Sequence, residues 1–126
     1  LLKTSYTEAM EGLSHHEKDI RPWGQYERFT LNESTTVKII TVSAGEAFSL
    51  QTHAHRAEFW RILSGSATIT VGDATHQAAP GDTFYIAQDT KHRAEAGPEG
   101  LQFLEIAFGV FDESDITRLE DRYGRA

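Results

Sequence analysis

The chain contains no cysteine. Disulfides and thiolate metal sites are therefore excluded, and any metal must be held by imidazole, carboxylate or amide oxygen. This fits a reducing compartment, and the expectation is cytoplasmic. No apolar run reaches the roughly 18 residues needed to cross a bilayer, and no charged-then-apolar leader opens the sequence. Basic residues are in the minority, 12 against 19 acidic, for a net charge of −7. Such a surface repels phosphate backbones and anionic lipid, so nucleic acid and membrane are not expected partners. There is also no Gly-rich nucleotide-binding run. The 126 residues suffice for one domain with a proper core.

Residues 1–20 are polar and mixed, and they read as an N-terminal extension before a domain spanning 21–126. Within the extension, Ala9, Met10 and Leu13 lie on one side of a short helix expected over Tyr6–Lys18, with His15 and His16 exposed at its end. Arg21-Pro22-Trp23-Gly24 breaks that helix, because Pro22 disfavours helical geometry at Arg21. Short strands then follow one another: Gln25–Leu31, Thr35–Val42, Ala47–His53, Glu58–Leu63, Ala67–Val71, Thr83–Ile86, Lys91–Ala96 and Leu101–Phe108. Turn signals stand between them at Ser43-Ala44-Gly45, Ser64-Gly65, Gly72-Asp73, Pro80-Gly81 and Gly97-Pro98. Regular short strands with turns between them imply an all-β sandwich or barrel. Asp112 reads as the N-cap of a short C-terminal helix, with Ile116 and Leu119 on one side.

Strand side chains alternate, so Gln51 and His53 share a face, as do Glu58, Trp60 and Ile62. If that face is interior, an amide, an imidazole and a carboxylate converge beside apolar walls. Buried groups of this kind must be paired or bound to a metal. His92 opens a later strand that would pack across the barrel. Such nitrogen and oxygen ligands suit zinc, manganese, iron(II), nickel or cobalt without choosing among them; zinc is placed first.

The spacing resembles that of the cupins. Gly45, five residues, Gln51, one residue, His53, four residues, Glu58, six residues, Gly65 follows the first cupin motif, with Gln for its first His. Gly81, five residues, and then His92 follows the second, with Ala87, Asp89 and Ala96 replacing its Pro, Gly and Asn. This implies a double-stranded β-barrel, or jelly roll, holding one divalent ion through Gln51, His53, Glu58 and His92.

A narrower resemblance is to the barrel of type II phosphomannose isomerases. Arg21-Pro22-Trp23-Gly24-Gln25-Tyr26-Glu27 is similar to that family's RPWGxYE, and Ser49–Trp60 to its SLQxHxHRAExW. Ser64-Gly65-Ser66-Ala67 matches SGxA, Lys91-His92-Arg93 matches KHR, and Asp115–Arg125 matches the closing DIxRxEDxYGR. Ala54 and Phe59 stand where the family usually has His. In that family the barrel is commonly the C-terminal part of a two-domain enzyme whose larger part transfers guanylyl groups. That activity is not carried over to these residues. The resemblance implies interconversion of mannose 6-phosphate and fructose 6-phosphate with a divalent metal.

Such a reaction needs a proton shuttle and cations for phosphate. Glu105 shares a strand face with Phe103 and Ala107 and is the candidate base. Arg56 lies between two ligands on a loop expected at the mouth and is the first candidate for catalysis and for phosphate; Lys38, Lys91 and Arg93 follow. The alternatives are a non-catalytic or regulatory cupin binding a sugar phosphate or sugar nucleotide, and another metal-dependent cupin reaction such as an oxygenase. Exposed sheet edges imply a homodimer, with Arg21–Gly24 available to cross to the partner.

Overall fold

The computed structural model describes Met10 and residues 12–126. These residues form β1 (Glu17–Arg21), β2 (Gly24–Arg28), β3 (Thr35–Val42), β4 (Leu50–Thr52), β5 (Arg56–Val71), β6 (Ala74–Ala78), β7 (Thr83–Ile86), β8 (His92–Gly109) and β9 (Thr117–Glu120). β1 and β2 make a hairpin closed by Pro22 and Trp23. The remaining strands form one seven-stranded sheet organised on the long antiparallel pair β5–β8. β5 also receives β7 along Glu58–Arg61 and β6 along Ala67–Val71. β8 receives β3 along Leu101–Phe108 and β4 at His92, and β4 in turn receives β9.

Two of the expected turns are bends inside continuous strands. Ser64-Gly65 and Gly97-Pro98 fall within β5 and β8, where the pairing register shifts between Ile62 and Ser64 and again between Gly65 and Ala67. Gly65 has φ +82°, and a Cβ there would lie 2.0 Å from the carbonyl oxygen of Gly100. Only glycine lets the strands cross so closely at this bulge.

Alternation along β5 divides two apolar clusters. Trp60 and Ile62 face inward with Ile69, Phe84, Ile86 and Phe103. Phe59 faces the other way and is fully buried with Leu13 and Ile106, stacking on Phe29 at 5.1 Å between ring centres. The segment around Leu13 and Phe29 thus covers the outer face of β5 and β8. Burying one such aromatic stabilises the fold by about 1.5–3 kcal/mol.

The expected helical ends are corrected. Of the Tyr6–Lys18 segment, residues 6–9 and 11 lie outside the described residues; Met10 is helical, 12–16 carry no helix, and Glu17 and Lys18 belong to β1. His16 is not an exposed terminal histidine but is half-buried, its Nε2 2.6 Å from Glu27. No helix follows Asp112. Its carboxylate accepts the Ser114 N–H and Oγ–H at 2.9 and 2.7 Å, closing a local turn instead of capping a helix. Ile116 then turns to a cavity, and Thr117–Glu120 pairs with β4, whose edge supplies the hydrogen bonds a helix would have made internally. β6 was not anticipated; it returns from the Gly72-Asp73 turn along β5.

Candidate metal centre

β4, the start of β5 and the start of β8 meet at one end of the barrel interior. There the side chains of His53, Glu58 and His92 are 3, 1 and 1% exposed. His53 Nε2 is 3.4 Å from Glu58 Oε2, and His92 Nε2 is 3.7 Å from Glu58 Oε1. The three ligand atoms lie within 4.8 Å of one another. Donors each about 2.0–2.2 Å from a shared ion stand roughly 3–4 Å apart, so the spacing suits one ion.

The hydrogen bonds fix both imidazoles for this role. His53 Nδ1 donates to the Asp115 carbonyl at 2.6 Å, and His92 Nδ1 donates to the Thr90 carbonyl at 2.9 Å. Since a carbonyl can only accept, both protons sit on Nδ1, and both Nε2 atoms are left as unprotonated acceptors on the side of Glu58. His92 Nε2 is buried without any hydrogen-bond partner. An orphaned buried lone pair aimed at a carboxylate fits a metal ligand better than a core histidine. Burial lowers the His92 pKa, which favours the neutral, ligating form. For Glu58, burial acts upward, but the positive charge around it, with the Arg56 guanidinium hydrogen-bonded to it, holds the carboxyl below its usual range.

Gln51 is beside this cluster, but its amide nitrogen faces His53 Nε2 at 3.2 Å while its oxygen accepts from Ser49 Oγ at 2.7 Å. Ligation through oxygen requires a half-turn of the amide, which the Ser49 hydroxyl tolerates because it can accept as well as donate. Arg56 is not on an exposed rim loop. It opens β5 at 7% exposure. Its Nε donates to Glu58 Oε2 at 3.0 Å and its Nη2 to His53 Nε2 at 3.2 Å, with Phe111 stacked 4.4 Å from the guanidinium. Trp60 Nε1–H donates to Glu58 Oε1 at 2.9 Å.

Glu105 is buried and lines the cavity that opens onto the cluster, and its Oε1 has no partner. Its register neighbours are Trp60 on β5 and Lys38 on β3. Burial first, and then the Glu58 carboxylate, push its pKa up to about 8. Lys38 lines the same cavity and pairs with Glu113 at 3.0 Å. Lys91 and Arg93 do not line it. Lys91 pairs with Asp73 at 3.1 Å, and Arg93 donates to the carbonyls of Phe48 and Glu120.

Two residues of the site were missed. Asp115 accepts the Ala54 and His55 N–H groups on its carboxylate at 2.8 and 2.9 Å, besides holding His53 through its backbone oxygen. Arg118 lines the cavity, directly opposite Gln51 in the β4–β9 register. Both stand in the closing DIxRxEDxYGR block, which was the available signal; reading Asp112 onward as a helix hid their orientation. Two departures from the motifs also find an explanation. Phe59 points away from the cluster into the outer core. Asp89, where the second motif has Gly, has φ +61° and donates its N–H to the His53 carbonyl at 2.8 Å, so the glycine-like backbone is retained.

The sequence pattern of the mannose-6-phosphate isomerase C-terminal family matches residues 8–121. Among curated proteins, the chain is 40% identical over 111 residues to mannose-1-phosphate guanylyltransferase RfbM of Salmonella typhimurium, covering 86% of this chain and 23% of that one. It is 41% identical over 113 residues to the alginate biosynthesis protein AlgA of Pseudomonas aeruginosa, covering 88% and 24%. The chain thus spans about a quarter of the length of the curated relatives it matches. Among solved structures, a cupin 2 conserved barrel domain protein from Rhodopseudomonas palustris superposes with a TM-score of 0.60 at 26% identity, over 65% of this chain and 57% of that one. The all-β barrel is a cupin, and the chain belongs to the mannose-6-phosphate isomerase C-terminal family.

Proposed function

We propose that this chain is a metal-dependent aldose–ketose isomerase that interconverts mannose 6-phosphate and fructose 6-phosphate. The observation that carries the reading is that the Nε2 atoms of His53 and His92 both stand within 3.7 Å of the Glu58 carboxylate, while His53 and the buried carboxyl of Glu105, with its unpartnered oxygen, line one adjoining cavity. Family membership supports the substrate class, and relatives named for guanylyltransferase and alginate biosynthesis support a place in sugar-precursor metabolism.

His53, Glu58 and His92, joined by Gln51, would hold one divalent ion, zinc first, with manganese, iron, nickel or cobalt as alternatives. When bound, such an ion supplies Lewis acidity at the sugar's carbonyl end. In its ionised form, which becomes the major one only above a pH of about 8, Glu105 takes the proton from C2 of the open-chain aldose and returns it to C1, the electron pair shifting through an enediol while the C2 hydroxyl proton moves to O1. Arg56 positions Glu58 and His53 and offers positive charge at the inner wall, and Lys38 offers it further out. Trp60 and Phe103, 4.6 Å apart between tilted ring centres, belong to the apolar core beside Glu58 and Glu105.

The test is a coupled assay of fructose 6-phosphate formation by chelated protein with single metals added back. Activity restored by a divalent ion, and absent in His92→Ala, is expected. A folded, metal-loaded chain that binds mannose 6-phosphate without forming product would overturn the isomerase and favour a sugar-phosphate-binding cupin.

The proposed assembly is a homodimer in the cytoplasm. β3 pairs with β8 and with no other described strand, and Val37, Ile39 and Trp23 are exposed apolar side chains on β3 and the hairpin tip. Light scattering that gives the mass of one chain at working concentration would contradict the dimer.

A further inference from the structure

Four basic residues line the cavity, and three of them already have carboxylates. Lys38 pairs with Glu113 at 3.0 Å, Arg56 with Glu58 at 3.0 Å, and Arg125 with Asp121 at 2.8 Å. Arg118 is the exception: among the described residues it makes no ion pair and donates no hydrogen bond, and its Nε is buried without a partner. Asp121 acts on it only from beyond pairing distance and is itself held by Arg125. A guanidinium kept partly out of water with its donors unused is costly unless a ligand completes it.

Its direction follows from the sheet. Arg118 on β9 stands opposite Gln51 on β4, and directly opposed residues in an antiparallel pair project to the same face. Gln51 points to His53, so Arg118 points into the same cavity, beside the candidate ligands and not across from them. The Asp115 clamp on residues 53–55 ties β9 to the ligand loop and fixes that spacing.

We infer that Arg118 is the anion anchor of this cavity and takes the phosphate monoester of the ligand. The inference rests on the sugar-phosphate reading above and deepens it by naming the residue that holds the phosphate. The planar guanidinium suits two parallel, charge-assisted hydrogen bonds to one phosphate. In a chain of net charge −7, long-range attraction cannot gather a dianion, so local recognition must do so.

The experiment measures binding by calorimetry on metal-loaded parent, Arg118→Ala, Arg118→Gln and Arg118→Lys, using mannose 6-phosphate, unphosphorylated mannose and inorganic phosphate. Metal content and melting temperature are recorded for each. The Ala and Gln variants should lose affinity for mannose 6-phosphate by roughly ten- to a hundredfold. Lys should recover part of it, while metal content and mannose binding stay at the parent's level. Phosphate should compete with mannose 6-phosphate in the parent and much less in Arg118→Ala. Equal binding of mannose 6-phosphate by parent and by folded Ala or Gln variants would overturn the inference. So would equal losses for mannose and its phosphate, or a parent that binds neither phosphate nor mannose 6-phosphate. A parent that binds mannose 6-phosphate through Arg118 but forms no fructose 6-phosphate would sink the isomerase and support the anchor.

Discussion

Asp115 accepts the Nδ1–H of His53 on its backbone oxygen at 2.6 Å, and this bond decides which nitrogen of His53 faces Glu58. The Asp115 carboxylate meanwhile caps the N–H groups of Ala54 and His55, and those two bonds hold its pKa below the usual 3.8. Asp115→Ala leaves that backbone oxygen in place but releases the clamp on the ligand loop that positions it, so metal binding should weaken by about 10-fold, the lower end of the range for groups that orient a ligand from behind. Asp115→Asn keeps one acceptor and should lose less. In the parent the folded pKa is depressed, so the clamp's contribution is fully present above the unfolded value and disappears as pH falls through the lower folded value. Competition with a chromophoric chelator reads the affinities; an Ala variant matching the parent would remove Asp115 from the account.

Trp60 is a built-in reporter of the centre. Its indole N–H donates to Glu58 Oε1 at 2.9 Å, and its ring lies 5.6 Å from that of His92. The second tryptophan, Trp23, is 73% exposed and can be replaced without touching the site. In Trp23→Phe, saturable quenching of Trp60 emission by cobalt(II) or nickel(II) is expected, and it should vanish when His92→Ala is added. Unchanged emission at a metal concentration that fills the protein would place the ion elsewhere.

Much of this site was legible because cupin spacing is rigid. Alternation put Gln51 with His53 and Glu58 with Trp60, and the motif distances added His92. The parts that were not legible depend on pairing between distant strands. Arg118 reaches the cavity only because β9 lies on β4, and a four-residue strand carries too little pattern to outweigh the helical spacing of Ile116 and Leu119. Arg56 is expected on a rim because it falls in the loop before the Glu58 strand; β5 begins two residues earlier, at Arg56 itself, and draws its guanidinium onto Glu58. Likewise Ser64-Gly65 has turn chemistry, but the partner strand's Gly100 makes it a bulge.

Asp89 is a second place where local chemistry was ambiguous until the backbone was known. At φ +61°, aspartate is among the few side chains that tolerate the left-handed region. Its N–H, bonded to the His53 carbonyl, couples this loop to the ligand loop. Asp89→Ala should lower stability by about 1 kcal/mol, whereas Asp89→Gly should be tolerated. Urea denaturation of the two variants checks this; an Ala variant as stable as Gly would mean that the loop relaxes to another conformation.

The account stands on His53, Glu58 and His92 acting as one metal centre, and elemental analysis after metal loading and desalting tests that most directly. Parent protein should carry one divalent ion per chain. His53→Ala, Glu58→Gln and His92→Ala, each shown to be folded by far-UV spectroscopy, should each lose most of it, because every one removes a donor from a group whose three ligand atoms lie within 4.8 Å of one another. Folded variants that retain as much metal as the parent would contradict the centre and the isomerase built upon it.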